Sequence, residues 1–224
     1  MLFLSVLASA VYAIISLTQA SLAGVTVHSV PQVGFPTQVA NVVFGLAPVW
    51  LVVYLVRRNG EGLAAIGLSG DRLGQDAARG LALFSVAGVA GIGFYLGAVA
   101  LGVNRFVVPV PPLGHWWTVP ALLMNALEAA LVEEVIVAGY LITRLQQLGL
   151  TAAAALGASA ALRGTYHLYQ GWGGFAGNLA LGLFFGLVFV RTRRTWPLVM
   201  AHALLDVGAG VGYLVFREHL PGFH

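Results

Sequence analysis

The chain has no cysteine and no lysine, and only 8 % of its residues are charged. Without cysteine there is no disulfide, no thiolate metal site and no cysteine nucleophile. A soluble domain carries roughly 25 % charged residues, so a soluble globular fold is excluded on composition. Other signatures are missing too. There is no His-Glu-x-x-His, so the logic of soluble zinc proteases does not transfer. No serine sits in a nucleophile-elbow pattern. Gly171-Trp172-Gly173 follows no strand, which removes a dinucleotide loop. No repeat, low-complexity tract or inverted repeat of the transporter kind is visible.

What remains is apolar. The 224 residues are 59 % hydrophobic, with a mean hydropathy of +0.88. The class these numbers define is an all-α polytopic membrane bundle, one domain over residues 1–224. The 29 glycines suit it, because small residues let membrane helices approach closely. The formal charge of +3 comes from arginine alone. It implies no nucleic acid, because the arginines flank apolar segments, where topology accounts for them.

About seven spans are expected. Residues 2–20 form the first; they lack the basic leader and cleavage site of a signal peptide, so a retained helix is the reading. The second covers 38–56 and ends at Arg57-Arg58. Residues 61–76 are a polar, glycine-rich loop with a short surface helix near Leu63–Gly67. The third span covers about 80–101, and Trp116 and Trp117 in the following loop suit a membrane interface. The fourth runs from about 119 to 148, the fifth from 151 to 169, the sixth from 175 to 190 and the seventh from 196 to 216. With a cytoplasmic N-terminus, Arg57, Arg58, Arg72, Arg79, Arg144, Arg191, Arg193 and Arg194 all fall inside, and only Arg105 and Arg217 outside. The expected location is the cell membrane.

Charge at bilayer depth costs ~2.5–3.5 kcal/mol per residue on insertion scales, so ionisable residues there need a use or a partner. The fourth segment holds Glu133 and Glu134 side by side. The fifth holds Arg163 and His167, and the seventh His202 and Asp206. Each of the last two pairs is spaced i, i+4 and shares a helix face. All should point into the bundle. Together they suffice to activate a water and stabilise an oxyanion. Equally, they offer nitrogen and oxygen ligands for a divalent metal such as zinc, in which case Glu133, His167 and His202 are the ligand set. Taken singly, each has a plainer reading: a membrane histidine is more often a helix-to-helix hydrogen-bonding group than a ligand. Glu128 falls off the faces of Glu133 and Glu134, and His28, His115, His219 and His224 fall in loops or at the terminus.

The order of these residues resembles the CPBP family of intramembrane proteases. That family includes the type II CAAX prenyl endopeptidases and bacteriocin-processing or self-immunity proteins of the Abi type. Its motifs read Glu-Glu-x-x-x-Arg, Phe-x-x-x-His and His-x-x-x-Asn. Here they stand as Glu133-Glu134-Val135-Ile136-Val137-Ala138, Arg163-Gly164-Thr165-Tyr166-His167 and His202-Ala203-Leu204-Leu205-Asp206. Gly139-Tyr140-Leu141 and Trp196-Pro197-Leu198 are similar as well, and the likeness covers about 119–210. It implies an intramembrane endopeptidase acting on a peptide or lipid-modified peptide. Glu133 would be general base with Glu134 beside it, His167 and His202 would hold the water or oxyanion, and Asp206 would orient His202. Whether a metal assists stays open, as does a silent family member that binds a peptide or partner without cleaving it. A proton-relay transporter is a third reading, weakened by the missing inverted repeat. Two departures coincide: Ala138 replaces the motif arginine and Arg163 the motif phenylalanine. Arg163 shares the face of His167, so it is expected to supply to the glutamates the guanidinium that position 138 lacks.

Overall fold

A computed structural model describes residues 10–15, 17 and 26–219. Most of the first expected span and the C-terminal His224 lie outside these; within that span, residues 10–15 are helical. Each of the other six expected segments is a helix. The second is a broken rod, α1 (Phe35–Gly45) and α2 (Ala47–Arg58), with Pro48 just past the break. It is followed by α3 (Leu73–Ala100) and by a long rod made of α4 (Thr118–Val132), a π-helix (Glu133–Ile142) and α5 (Thr143–Gln147). The chain closes with α6 (Ala152–Tyr166), α7 (Trp172–Thr192) and α8 (Trp196–Phe216). Two short parallel strands, β1 (Thr26–His28) and β2 (Phe106–Val108), were not expected; they tie together loops at one end of the bundle.

Four helical stretches, Phe35–Arg58, α3, α7 and α8, are long and apolar enough to cross a membrane. Their exposed side chains, such as Phe44, Trp50, Val89, Ile92 and Val215, are apolar, which suits a lipid-facing surface. The chain is an integral membrane protein. The other two rods carry the charges. At ~1.5 Å per residue, α6 is about 22 Å long, short of the ~30 Å hydrocarbon layer. It runs inside the bundle against α7 and the π-helix.

The π-helix is the hub. It packs against α2, α6, α7 and α8, and against a 3-10 turn at Leu63–Ile66. That turn corrects the surface helix expected there: Ile66 is fully buried, and its carbonyl accepts from the Thr195 hydroxyl at 2.6 Å. Gly139 makes the packing possible. A Cβ there would lie 2.8 Å from the Ile66 carbonyl oxygen and 2.9 Å from Thr195 Oγ1. Wider π winding disturbs the usual i→i−4 pairing, and two hydroxyls serve carbonyls within it: Ser159 on α6 donates to Val137 O at 2.8 Å, and Thr143 to Gly139 O at 2.6 Å.

One end is laced by arginines. Arg194 Nε donates to Asp76 at 3.1 and 3.2 Å, its Nη1 pairs with Asp71 at 2.5 Å, and its Nη2 donates to Ser69 O. Arg144 pairs with Glu61 at 2.7 Å, and Arg193 donates to Gln146. The guanidinium of Arg194, followed by the Ser69 hydroxyl, holds the Asp71 carboxyl well below the usual carboxylate range. A depressed folded-state pKa stabilises above the unfolded value and is lost on falling through the folded one, so this lacing should loosen only in strong acid.

Gly139→Ala should overpack the hub and cost ~1–3 kcal/mol. Gly157 on α6 has nothing within 4 Å of an added Cβ, so Gly157→Ala should be neutral or stabilising. Melting curves of the two variants in detergent check the contrast.

Candidate active site

Three elements bring the charged residues together: the π-helix, α6 and α8. Arg163 is the centre, almost fully buried. Its Nη1 lies 2.5 Å from Glu134 Oε1 and its Nη2 3.2 Å from Glu133 Oε2. One planar fork therefore bridges both carboxylates, a geometry that suits guanidinium better than ammonium. The stem reaches this point across α7, where Gly182 leaves room: a Cβ there would meet Arg163 Cδ at 3.1 Å. Its Cζ lies 5.8 Å from the centre of the Phe185 ring. Ala138 is buried in a cluster that contains the same Phe185.

The two glutamates differ. Glu134 is wholly buried and its Oε1 also accepts from His202 Nδ1 at 2.8 Å. The Glu133 side chain is 16 % exposed, and its Oε1 lies 3.8 Å from His167 Nε2, too far for a hydrogen bond and a separation at which a bridging water is to be expected. Adjacent residues on an α-helix are ~100° apart. The π-helix, with its i→i+5 bonds, puts more residues into each turn and narrows that angle, which helps one arginine serve both neighbours.

Hydrogen-bond partners fix the imidazoles. His167 ends α6 instead of lying within it, and its Nδ1 sits 3.0 Å from the Arg163 carbonyl. A carbonyl only accepts, so Nδ1 carries the proton and Nε2 of the neutral ring turns a lone pair toward Glu133. In His202, Nδ1–H donates to Glu134, and Nε2 is 3.6 Å from Asp206 Oδ2. Asp206 is the most open of the set, with 41 % of its side chain exposed.

Glu133, Glu134, Arg163, His167, His202 and Asp206 thus form one cluster. Glu128 stands apart, packed against Gly45 where α1 ends. A further residue joins that the sequence reading did not single out. The Tyr166 ring lies tilted against His167 at 4.8 Å between centroids, and its buried hydroxyl lies beside the Glu133 carboxylate. The available signal was its i+3 spacing from Arg163. Among the described residues, Glu133, Glu134 and His202 bring one donor atom each within 4.8 Å of one another and could hold a metal.

A bundle of membrane helices encloses paired glutamates, histidines and a bridging arginine. Residues 115–208 match the family model of Rce1-like type II CAAX prenyl endopeptidases. The match spans less than half of the chain, includes every residue of the cluster, and supports the CPBP recognition made from the motifs. No curated protein and no solved structure matches the chain.

Removing one partner of a buried ion cluster costs ~3–5 kcal/mol, because the remaining charges stay buried. Arg163→Leu should therefore lower the melting point sharply. The triple variant Arg163→Leu, Glu133→Gln, Glu134→Gln should recover much of it. Additive losses in the melting curves would contradict a shared cluster.

Proposed function

We propose that the chain is an intramembrane endopeptidase that hydrolyses a peptide bond with a water activated by Glu133, on a peptide or prenylated-type peptide presented at the membrane. The observation that carries this is the inequality of the two glutamates. Glu134 is spent on Arg163 and His202, whereas Glu133 keeps Oε1 open toward His167 Nε2. Both of these atoms are acceptors. A water between them donates a hydrogen bond to each and leaves a lone pair free for a carbonyl carbon. Glu133 takes the proton as attack proceeds and returns it to the leaving amine. Glu134 and Arg163 keep Glu133 in place, and Asp206 orients His202.

Glu133, Glu134 and His202 could hold a metal by spacing. The guanidinium of Arg163 already lies between the two carboxylates, and a divalent ion at that point would have to displace it against like charge. The residues do not fit a resident zinc, and the reading is of a metal-free site. Arg163 is also read as the motif arginine moved to the facing helix: it and Ala138 both adjoin Phe185. Arg163→Phe should lose activity, and adding Ala138→Arg should restore part of it. The arginine-laced end is assigned to the cytoplasm, so reporters fused at Gly60 and Pro112 should read inside and outside.

The direct test uses the purified full chain and a peptide library with and without farnesyl groups. Glu133→Gln should lower cleavage by ~10²–10⁴-fold. His202→Ala should do the same, the double variant should be no worse, and a strong chelator should leave the wild-type rate unchanged. A rate indifferent to Glu133→Gln sinks the proposal. Peptide binding without cleavage would instead identify a silent, partner-binding member, and chelator-sensitive cleavage would restore the metal.

A further inference from the structure

Hydrolysis needs a donor for the oxygen that becomes negative when water attacks, and the cluster has few left to give. Arg163 donates from Nη1 to Glu134, and its Nη2 lies between Glu133 Oε2 at 3.2 Å and His202 Nδ1 at 3.3 Å. Its Nε is without a partner, but the adjoining Cδ lies against Gly182 and the Cζ against Phe185, so that N–H belongs to the α7 wall. His167 spends its Nδ1–H on the Arg163 carbonyl, which leaves Nε2 an acceptor. His202 gives Nδ1–H to Glu134 and turns Nε2 to Asp206. Asp206, where the family motif has an asparagine, is a carboxylate and donates nothing when ionised.

A buried hydroxyl joins these groups. The Tyr166 hydroxyl is buried beside the Glu133 carboxylate, with no hydrogen bond of good geometry. Leaving a buried hydroxyl unpaired is costly, and such groups in native structures call for an explanation. Glu133 Oε2, ion-paired with Arg163 at 3.2 Å, and Glu134 Oε2 also make no hydrogen bond of good geometry. Tyr166 lies i+3 from Arg163 on α6 and its ring is set by His167 and the apolar cluster around Val135 and Val199. The geometry points to Tyr166 as a catalytic residue: it donates the hydrogen bond that stabilises the tetrahedral oxyanion, filling the role that Asp206 cannot.

This rests on the hydrolytic reading above. In the step, the water oxygen bonds to the carbonyl carbon while its proton passes to Glu133. The carbonyl π pair moves onto oxygen, which accepts the Tyr166 O–H bond, and the phenol keeps its proton. Collapse re-forms the carbonyl, breaks the C–N bond and delivers the proton on Glu133 to the departing amine.

The test compares wild type, Tyr166→Phe and Glu133→Gln on an internally quenched, farnesylated peptide of the Cys-aliphatic-aliphatic-X type, and on its phosphinate analogue, which carries the tetrahedral anion. Tyr166→Phe should lower kcat ~10²–10³-fold, as removal of one oxyanion donor does, with KM changed less than about threefold. It should weaken the phosphinate by a similar factor and leave the acid limb of the pH profile in place. Its melting point should stay level or rise, because the lost hydroxyl made no hydrogen bond of good geometry. A kcat within about threefold of wild type overturns the inference while leaving Glu133 in its role. A displaced acid limb with an unchanged plateau would make Tyr166 a positioning partner of Glu133, and a fall in melting point with unchanged phosphinate affinity would make it structural; either overturns it. If Glu133→Gln cleaves like wild type, the hydrolytic reading fails, and this inference falls with it.

Discussion

Two adjacent carboxylates kept away from water repel each other, and neither can stay charged in an apolar interior without a cation. Arg163 is that cation, at 2.5 and 3.2 Å from the two of them. Much of the bundle's construction follows from holding this arrangement. The π winding brings Glu133 and Glu134 within reach of one fork. Gly182 opens the wall of α7 for the arginine stem, and Ser159 and Thr143 serve carbonyls of the π-helix. Gly139 lets the Leu63–Ile66 turn close over the hub, and Arg194 fastens that region to α3.

The same arrangement makes the glutamates unequal. Glu134 gives its one bonded oxygen to two cationic or donor groups and is closed off. Glu133 shares the cation but keeps an oxygen facing His167. On the reading proposed above, an anchor and a base are thereby made from two identical side chains by environment alone. Lipid-facing helices around the site supply the low dielectric in which such fixed charges are strongest. The polar cluster sits where the short α6 ends, roughly 15–20 Å along the helix from Gln147 at ~1.5 Å per residue.

Much of this was legible in the sequence because it obeys helical period. The i, i+4 spacing put Arg163 with His167 and His202 with Asp206, and the apolar segments between arginines marked each helix. Composition alone defined the membrane bundle. Other features follow no local rule. A π-helix over Glu133–Ile142 has the same apolar pattern as an α-helix, and its effect on the glutamates appears only in the packed structure. Tyr166 reads as an ordinary aromatic of an apolar helix until its hydroxyl is seen buried beside the Glu133 carboxylate. The Leu63–Ile66 turn looked superficial because its flanks are polar, yet Ile66 is held by Thr195 from a distant part of the chain. The contact of His167 Nδ1 with the Arg163 carbonyl, just past the last turn of α6, likewise follows no pattern of residue types. The strands β1 and β2 pair residues far apart in sequence, beyond any local pattern.

The central claim is that Glu133 activates a water that attacks the peptide directly. A single turnover in ¹⁸O-labelled water, with enzyme in excess over peptide, tests it most closely. Direct attack places one labelled oxygen in the new carboxylate of the peptide product and none in the protein. Label recovered in the Glu133 side chain, with unlabelled peptide released on that first turnover, would mean that the glutamate had attacked as a nucleophile and would contradict the account.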